Sequence, residues 1–324
     1  MSVDGRDITA SAGSTVLAAA DAANIYIPRL CVRAGMPPAS DRRRCGLCVV
    51  SVRGVGVVYA CETAATDGME VFTDDAAAAD ARAQAMARLL AEHPHACLVC
   101  AERDGCDLLT CSQGVPVSER CCPSFQTCEL RAVVEYLGVP AQTPRYRAGG
   151  RLPEMRGLVA VNPALCIRCL RCVSACRLKG HDAMQPGPVI AETCTSCGAC
   201  VTVCPTGALR SARDAWPPAN VLRLPGQPAP PQRAWAFEPA QIALVPAAGG
   251  VYELLDENGA VLAIGSGPDL QAELRKRYAA DAARVGRFRW ELSERYSMRE
   301  SELLQQHLSR FGRLPPLHIE DDLY

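Results

Sequence analysis

The sequence predicts a multidomain chain of the α+β class, in which small cysteine-rich units precede a cysteine-free α/β domain. All nineteen cysteines of the 324 residues fall into five short groups between positions 31 and 204. Short apolar runs bounded by glycine, asparagine and aspartate alternate with helical patterns on both sides of these groups. Seven of the 24 prolines lie between positions 217 and 239, which predicts an extended linker over 216–239.

The overall composition restricts the possible functions. An odd number of cysteines argues against a closed set of disulfides. The net charge is −1, with 34 basic and 35 acidic residues, so the chain lacks the basic excess that is typical of nucleic-acid partners. The N-terminus does not resemble a signal peptide, and no apolar run approaches the roughly 20 residues that span a bilayer. We therefore expect a cytoplasmic, reduced protein with no membrane insertion.

Residues 1–75 predict a small α/β domain. Residues 3–6 resemble a hairpin turn, Ser14 is a candidate cap for a helix that ends near Asn24, and strands are expected at 49–52 and 57–60. One lone cysteine, one close pair and one distant cysteine suit a [2Fe–2S] centre, with the ligands Cys31, Cys45, Cys48 and Cys61. The run of three arginines at 42–44 is expected to be a solvated loop beside an anionic cluster.

The segment 76–145 begins with a predicted helix over 76–92, capped by Asp74 or Asp75 and stopped by Pro94. It delivers His93 to a cysteine triplet, Cys97, Cys100 and Cys106. With this histidine the chain has enough ligands for five four-ligand centres. A second predicted helix covers 129–137 and is preceded by a further quartet, Cys111, Cys121, Cys122 and Cys128. The spacing of this quartet leaves a [4Fe–4S] cluster, zinc or a purely structural role open.

The segment 146–215 contains two Cys-x2-Cys-x2-Cys-x3-Cys runs, and Pro205 follows the second. Such paired runs are typical of bacterial two-cluster ferredoxins, in which the fourth cysteine of each run ligates the other cluster. One [4Fe–4S] centre is therefore expected at Cys166, Cys169, Cys172 and Cys204. The second is expected at Cys194, Cys197, Cys200 and Cys176. Zinc is the alternative ligand of Cys-x2-Cys pairs.

The stretches 25–31, 45–50 and 68–71 resemble the N-terminal domain of a family of iron–sulfur subunits. The family includes the large iron–sulfur subunit of respiratory complex I and the iron–sulfur subunits of NAD-linked hydrogenases and formate dehydrogenases. The resemblance extends over residues 1–212 and implies a ferredoxin-like β-grasp fold for the first domain, whose loop before Cys45 is somewhat longer than in the family. It also implies a [4Fe–4S] site made by His93 and the cysteine triplet, with His95 as the competing ligand.

The C-terminal segment 240–324 predicts a hairpin over 251–264 with a type I′ turn at Asn258-Gly259, and helices over 269–279 and 299–311. Residues 250–275 resemble the GIY-YIG nuclease fold. Three functional positions of that family carry other residues here, namely Ala263, Glu273 and one of Gln305, Gln306 or His307. The resemblance therefore implies a docking domain without nuclease activity.

The leading hypothesis is an electron-transfer subunit that does no substrate chemistry itself, since no Gly-x-Gly-x-x-Gly run or P-loop is found. By resemblance, its partners are complex I-like flavin/NAD subunits and a formate dehydrogenase or hydrogenase catalytic subunit. One [2Fe–2S] and three [4Fe–4S] clusters hold about 14 irons per chain, and a fourth [4Fe–4S] cluster at the further quartet raises this to about 18. The alternatives are an iron–sulfur nucleic-acid-processing protein and a subunit that itself reduces a substrate.

Overall fold

A computed structural model of the chain divides into two compact units, Met1–Pro231 and Gln232–Tyr324. The structure describes residues 1–39, 42–100, 110–120, 128–146, 153–212, 221–231, 234–257 and 259–317. Four residues with predicted roles lie outside the described residues, namely Cys106, Cys121, Cys122 and Asn258. None of the helices in the described ranges combines the length and the apolar character needed to cross a bilayer.

The first domain is built on a five-stranded mixed sheet. Its elements are β1 Ser2–Val3, β2 Arg6–Asp7, α1 Val16–Ala22, β3 Val49–Val52, β4 Gly56–Tyr59 and β5 Glu70–Phe72. The strand order is β2-β1-β5-β3-β4, in which only the β1–β5 pair is parallel. The predicted turn at 3–6 is present, since Asp4 and Gly5 have φ values of 49° and 76° between paired strands. Buried apolar residues of α1 pack on β1, β3 and β5.

Helix α1 begins one residue later than its predicted cap requires. Thr15, not Ser14, is the N-cap, and its hydroxyl oxygen accepts a hydrogen bond from the backbone N–H of Ala18 at 3.2 Å. The prediction of Ser14 was wrong because the capping side chain must directly precede the first helical residue. The helix ends before Asn24, whose φ of 55° is incompatible with a further helical turn.

Two longer helices follow the first domain, α2 Ala76–Ala91 and α3 Glu129–Leu137. Asp75 caps α2 by accepting from the N–H of Ala78 at 2.8 Å, and Gly138 ends α3 with a φ of 81°. Their apolar faces share one core with the loop around the first cysteines, made by Leu30, Leu47, Met86, Leu90, Leu98, Leu130 and Val134, among others. Cys45, Cys97 and Cys128 pack against this core, so three of the five cysteine groups border it.

A ferredoxin-like module completes the first unit. Its elements are β6 Glu154–Arg156, β7 Val159–Val161, α4 Arg171–Leu178, β8 Met184–Gln185, β9 Val189–Ile190, α5 Ala199–Thr202 and β10 Leu209–Ser211. Strands β10, β7 and β6 form one small antiparallel sheet, and β8 and β9 form another. The sequence analysis did not predict these strands, because strands of two or three residues are too short to show an alternating pattern.

The second unit is a four-stranded antiparallel sheet with helices. Its elements are β11 Trp235–Ala236, α6 Pro239–Ile242, β12 Gly250–Leu255, β13 Val261–Gly267, α7 Leu270–Asp281, β14 Arg287–Leu292 and α8 Tyr296–Phe311. The order is β11-β14-β12-β13. Buried Glu253 on β12 pairs with Arg289 on β14 across the sheet. β14 was not predicted, since its basic, acidic and apolar residues alternate without a buried run.

Two details of this unit differ from the sequence prediction. The β12–β13 loop has three residues, 257–259, because the N–H of Asp256 donates to the carbonyl of Ala260 at 3.0 Å. Gly259 has a φ of 82°, as such three-residue loops require. The prolines at 216–239 were predicted to form only a linker, but the last residues of that range form β11 and the start of α6.

Candidate metal centres

The first cysteine quartet is assembled by the sheet of the first domain. Cys31 lies on an irregular segment after α1, Cys45 and Cys48 lie directly before β3, and Cys61 follows β4. The turn between the close pair depends on Gly46, which has a φ of 75°. A Cβ at this position would lie 2.9 Å from the Cβ of Ala85 on α2, so only glycine permits this close approach.

Hydrogen bonds join these four thiols into two pairs. Cys45 donates to Cys31, and Cys48 donates to Cys61. Accepting these bonds lowers the pKa of Cys31 and of Cys61, and contacts with Arg42 lower both further. The donors Cys45 and Cys48 have a pKa well above the ordinary thiol value, because ionisation would break the bond and because they are buried. Two of the four thiols therefore favour the thiolate, which is the metal-binding form.

Arg42 is a component of this site that the sequence analysis misjudged. Its Nη2 atom lies 3.8 Å from the sulfur of Cys61, and its positive charge also lowers the pKa of Cys31. The side chain is only 7% exposed, whereas the side chains of Arg43 and Arg44 are 42% and 59% exposed. The expectation of a solvated arginine loop was therefore wrong for Arg42 because the thiols and the acceptor Glu62 hold its guanidinium group inside the fold.

The ferredoxin-like module contains two cavities that are each lined by four cysteines. The first is lined by Cys166, Cys169, Cys172 and Cys204. The second is lined by Cys194, Cys197, Cys200 and Cys176. Each cavity takes three cysteines from one run and the fourth from the other, which coincides with the predicted grouping. Four thiol donors around a cavity suit a [4Fe–4S] cluster. The described residues include no group of three His, Cys, Asp or Glu side chains placed to hold a single metal ion.

Local backbone conformation directs N–H groups at the sulfurs of this module. Arg168 and Ser196, at equivalent places in the two runs, have φ values of 56° and 54°. Their N–H groups donate to the sulfurs of Cys166 and Cys194, each at 3.4 Å. Such left-handed conformations are costly for residues other than glycine, and they persist where the surrounding structure requires them. The repeated turn is thus a built feature of both cavities.

Burial dominates the electrostatics of the module. It raises the pKa of Cys166, raises that of Cys169 and of Cys200 to about 12, and raises that of Cys172 well above the ordinary thiol value. Neighbouring sulfurs add to the effect, since two thiolates repel each other. These thiols therefore stay protonated until a metal displaces their protons.

His93 has the chemistry of a metal ligand. It is buried at the end of α2, and its Nδ1 lies 2.8 Å from the carbonyl oxygen of Pro94. Because a carbonyl only accepts, Nδ1 carries the proton and Nε2 is left with a free lone pair. Nε2 is buried and has no hydrogen-bond partner among the described residues. Burial also lowers the pKa of His93 to about 4, which keeps the ring neutral. Nδ1 of His95 lies 3.0 Å from the carbonyl oxygen of His93.

The rest of the histidine site and the further quartet are described only in part. Cys97 and Cys100 lie at the two ends of a short 3₁₀ segment, Ala96–Val99 and its C-cap, directly after the histidines. Cys111 and Cys128 form no disulfide bond with another described residue. The sulfur of Cys128 lies 3.6 Å from the carbonyl oxygen of Pro205, the residue after Cys204. The further quartet therefore borders the module at this cysteine.

Arg171 connects the module to the other sites, and the sequence analysis did not single it out. It lies between the second and third cysteines of the first run, and its side chain is 0% exposed. Nη1 bonds to Glu129 on α3 at 2.9 Å and to the carbonyl of Val203 at 3.4 Å, and Nη2 donates to the carbonyl of Val32 at 2.8 Å. The three partners directly follow or precede Cys128, Cys204 and Cys31. No local sequence pattern indicates such a contact, because its partners are 32 to 139 residues away.

The first quartet and the module also meet at a second place. One cavity is lined by both Cys45 and Cys166, together with Arg88 and Glu92 of the α2 region. Beside it, the N–H of Arg43 donates to the carbonyl of Arg168 at 3.1 Å. Sulfurs of the two sites thus border one common cavity.

Known proteins match the chain along the same divisions. Residues 1–76 match the 2Fe-2S iron-sulfur cluster binding domain, and residues 163–179 and 188–210 match 4Fe-4S binding domains. An NADH-quinone oxidoreductase subunit of Rhizobium meliloti (strain 1021) is 31% identical over 229 residues, which cover 65% of this chain and 24% of that relative. The predicted resemblance is confirmed.

Two further similarities support it. NADP-reducing hydrogenase subunit HndD of Solidesulfovibrio fructosivorans is 29% identical over 243 residues, covering 69% of this chain and 38% of that protein. The chain thus matches 24% and 38% of the length of these two relatives. The crystal structure of an NAD+-reducing [NiFe]-hydrogenase in the H2-reduced state aligns with a TM-score of 0.52 at 24% identity, over 66% of this chain and 88% of that one. About two thirds of the chain therefore shares its fold with that protein.

Residues 230–310 match a domain of unknown function (DUF7508). The resemblance of this part to the GIY-YIG fold thus stays a prediction. Of the positions that carried it, Tyr252 is buried on β12 and its ring lies against Gly265 of the neighbouring β13. Ala263 is buried in the core of the sheet, and Glu273 on α7 lies against Gly267.

Proposed function

We propose that the chain is an iron–sulfur electron-transfer subunit of an NAD(P)-linked oxidoreductase complex. The observation that carries the proposal is the pair of cavities in the ferredoxin-like module, each lined by four cysteines drawn from both runs. Each cavity offers a full set of thiolate donors for one [4Fe–4S] cluster. Such clusters, when bound, supply one-electron carriers. The cysteines hold the irons, and the apolar surroundings limit access of water.

We assign the ligands by the five cysteine groups of the sequence. The [2Fe–2S] centre takes Cys31, Cys45, Cys48 and Cys61. The histidine-ligated [4Fe–4S] centre takes His93, Cys97, Cys100 and Cys106. The module holds one [4Fe–4S] centre at Cys166, Cys169, Cys172 and Cys204 and another at Cys194, Cys197, Cys200 and Cys176. A fourth [4Fe–4S] centre takes Cys111, Cys121, Cys122 and Cys128. The buried free lone pair of His93 supports its choice over His95.

Contacts between the sites support electron exchange among them. Cys45 and Cys166 line one cavity, and Arg171 binds backbone next to Cys31. Cys128 touches the carbonyl of Pro205 beside Cys204. Close packing of this kind keeps carriers within a short distance of each other and fixes their order. The chain thus acts as a relay between two partners.

The names of the relatives suggest the partners. A flavin/NAD-handling subunit of the complex I type stands at one end of the relay, and a hydrogenase or formate dehydrogenase catalytic subunit at the other. We place the complex in the cytoplasm. The segments 1–75, 76–145 and 146–215 are its cluster-binding domains, and 216–239 is the linker. Residues 240–324 form a docking domain of GIY-YIG-like fold without nuclease activity.

Anaerobic purification of the full chain with its native partners tests this proposal. We expect about 14 irons per chain, or about 18 if the further quartet binds a cluster, with matching acid-labile sulfide. Co-purifying flavin and catalytic subunits are expected in the same preparation. Iron well below 14 would contradict the cluster assignments. Cys128→Ser that keeps all of its iron would reject the fourth [4Fe–4S] centre, and Cys172→Ser provides the matched control that must lose iron.

A further inference from the structure

Arg42 places a buried positive charge directly on the first cysteine quartet. Its guanidinium group donates to the sulfur of Cys61 at 3.8 Å. Nη1 donates to the carbonyl of Ala39 at 3.0 Å, which fixes the orientation of the group. Its side chain is 7% exposed, so water screens this charge little.

The charges around Arg42 leave a net positive balance. Glu62 accepts from Arg42 at 2.8 Å and also from Arg44 at 2.8 Å, so that one carboxylate serves two arginines. Glu62 and Arg44 are 32% and 59% exposed, and their contributions are therefore weakened by solvent. The Nε of Arg42 is buried and has no acceptor among the described residues. Among the described residues, the least screened charge next to the sulfurs is thus the guanidinium group of Arg42.

The cavities of the ferredoxin-like module receive a different kind of donor. Their cysteine sulfurs accept from the backbone N–H groups of Arg168 and Ser196 in the described part of the module. A backbone N–H is a dipole, whereas a guanidinium group carries a full charge. Net charge, hydrogen bonds to sulfur and solvent exposure set the reduction potential of an iron–sulfur centre. The first quartet therefore differs from the module in a property that controls its potential.

We propose that Arg42 is a positioning residue that raises the reduction potential of the [2Fe–2S] centre at Cys31 and its partner cysteines. Reduction adds one electron, supplied in the test by dithionite, and neither breaks a bond nor requires a proton. The added negative charge is stabilised by the adjacent guanidinium group, and Glu62 opposes part of this effect. The inference rests on the proposed function, because it requires that the quartet holds this centre.

The test is a redox titration of the full chain. It is monitored through the EPR signal of the reduced [2Fe–2S] centre, at a temperature where the faster-relaxing [4Fe–4S] signals are broadened. In Arg42→Gln we expect the equilibrium constant for reduction to fall about tenfold, which is about 59 mV for a one-electron couple. Arg42→Lys keeps the charge and should restore part of the shift. The matched control is Arg53→Gln in the same domain. Arg53 forms an ion pair with Glu70 at 2.6 Å, and its side chain is 67% exposed. It should leave the potential unchanged.

Removing the negative charge beside Arg42 should shift the reduction potential in the other direction. Glu62→Gln removes the carboxylate that offsets Arg42, so the potential should rise. This variant also decides the question if Arg42→Gln fails to assemble the centre. An unchanged potential in Glu62→Gln, or in a fully loaded Arg42→Gln, overturns the role of Arg42 and leaves the proposed function intact. A wild-type chain without a [2Fe–2S] signal overturns the proposed function instead.

Discussion

The first cysteine quartet and the ferredoxin-like module place the same ligand residue in different electrostatic environments. In the quartet, hydrogen bonds and Arg42 lower the pKa of Cys31 and Cys61. In the module, burial raises the pKa of Cys169 and Cys200 to about 12. Two regions that supply the same kind of ligand therefore differ in the charges packed around it, and such charges influence both protonation and potential.

The two regions also differ in how their cysteines are brought together. In the module, each cavity takes three cysteines from one short run, and left-handed turns at Arg168 and Ser196 shape both runs alike. In the quartet, the pairing of β3 with β4 brings Cys45 and Cys48 to Cys61, and Cys31 comes from a third segment after α1. The module is therefore encoded mainly by local sequence, and the quartet mainly by the sheet.

The largest effect is expected from breaking the crossed grouping of the module, in which each cavity takes its fourth cysteine from the other run. Cys204→Ser should remove the centre of the first cavity, with a loss of about four irons, although Cys204 belongs to the second run. Cys176→Ser is the matched variant and should remove the other centre. Iron analysis and EPR of both variants check the prediction. If Cys204→Ser instead removes the centre at Cys194, Cys197 and Cys200, the crossed grouping is wrong.

Substitutions of His93 test whether the chain has a third kind of ligand environment, beside those of the first quartet and of the module. His93→Ala should lose the histidine-ligated centre and about four irons, because it removes a buried ring nitrogen that has a free lone pair. His95→Ala removes a neighbouring ring and should keep all of the iron. His93→Cys should keep the centre at a lower potential, since a thiolate adds negative charge. Equal iron loss in both alanine variants would contradict the assignment.

Arg171 connects the first quartet to the ferredoxin-like module, and removing its side chain should lower the free energy of unfolding. Arg171→Ala leaves two backbone carbonyls and Glu129 without their buried partner, which we expect to cost about 3 kcal/mol of the free energy of unfolding. The loss should appear as a fall of about 6–12 °C in the thermal midpoint of the first unit. The cluster absorbance measures this midpoint.

The control for this variant lies on the same helix. Arg177 forms an ion pair with Asp182 at 3.5 Å and is 64% exposed. Arg177→Ala should change the free energy of unfolding by about 0.5 kcal/mol or less, because solvent screens such pairs. Similar midpoints for the two variants would show that Arg171 does not hold the regions together.

The smallest effect concerns the pH dependence of metal loading. Thiols with a raised pKa, such as Cys166, Cys169 and Cys172, must release a proton when iron binds, so loading weakens as the pH falls. Cys31 and Cys61 have a lowered pKa, so they are protonated, and must release a proton when iron binds, only in more acidic solution. Each proton displaced changes binding by about tenfold per pH unit.

Reconstitution of the metal-free chain with ferrous iron and sulfide at several pH values measures this difference. The [2Fe–2S] signal should fall less steeply than the [4Fe–4S] signals between mildly alkaline and mildly acidic solution. Arg42→Gln should steepen the dependence of the first quartet alone. Parallel curves for the two kinds of centre would remove the electrostatic distinction between them.

Several elements could be predicted from sequence because their signals are local. The helix over 129–137 and its terminal Gly138 match the structure, and Asp75 was one of two predicted caps of α2. Other elements depend on distant partners. Strand β14 is paired on both sides by β11 and β12, and its own residues show no buried run. The three-residue loop at 257–259 is set by the register of β12 and β13.

The sequence alone determined how the cysteines are grouped and predicted which residues supply the ligands, because ligand spacing within a run is a local property. It also indicated the division into a cysteine-rich and a cysteine-free part. Only the tertiary structure decided what surrounds each group. Arg42 and Arg171 look like ordinary charged residues in sequence, yet the fold buries both side chains beside the cysteine groups. The reason is that desolvation multiplies the effect of a charge, and desolvation is set by the packing of segments that are far apart in the chain.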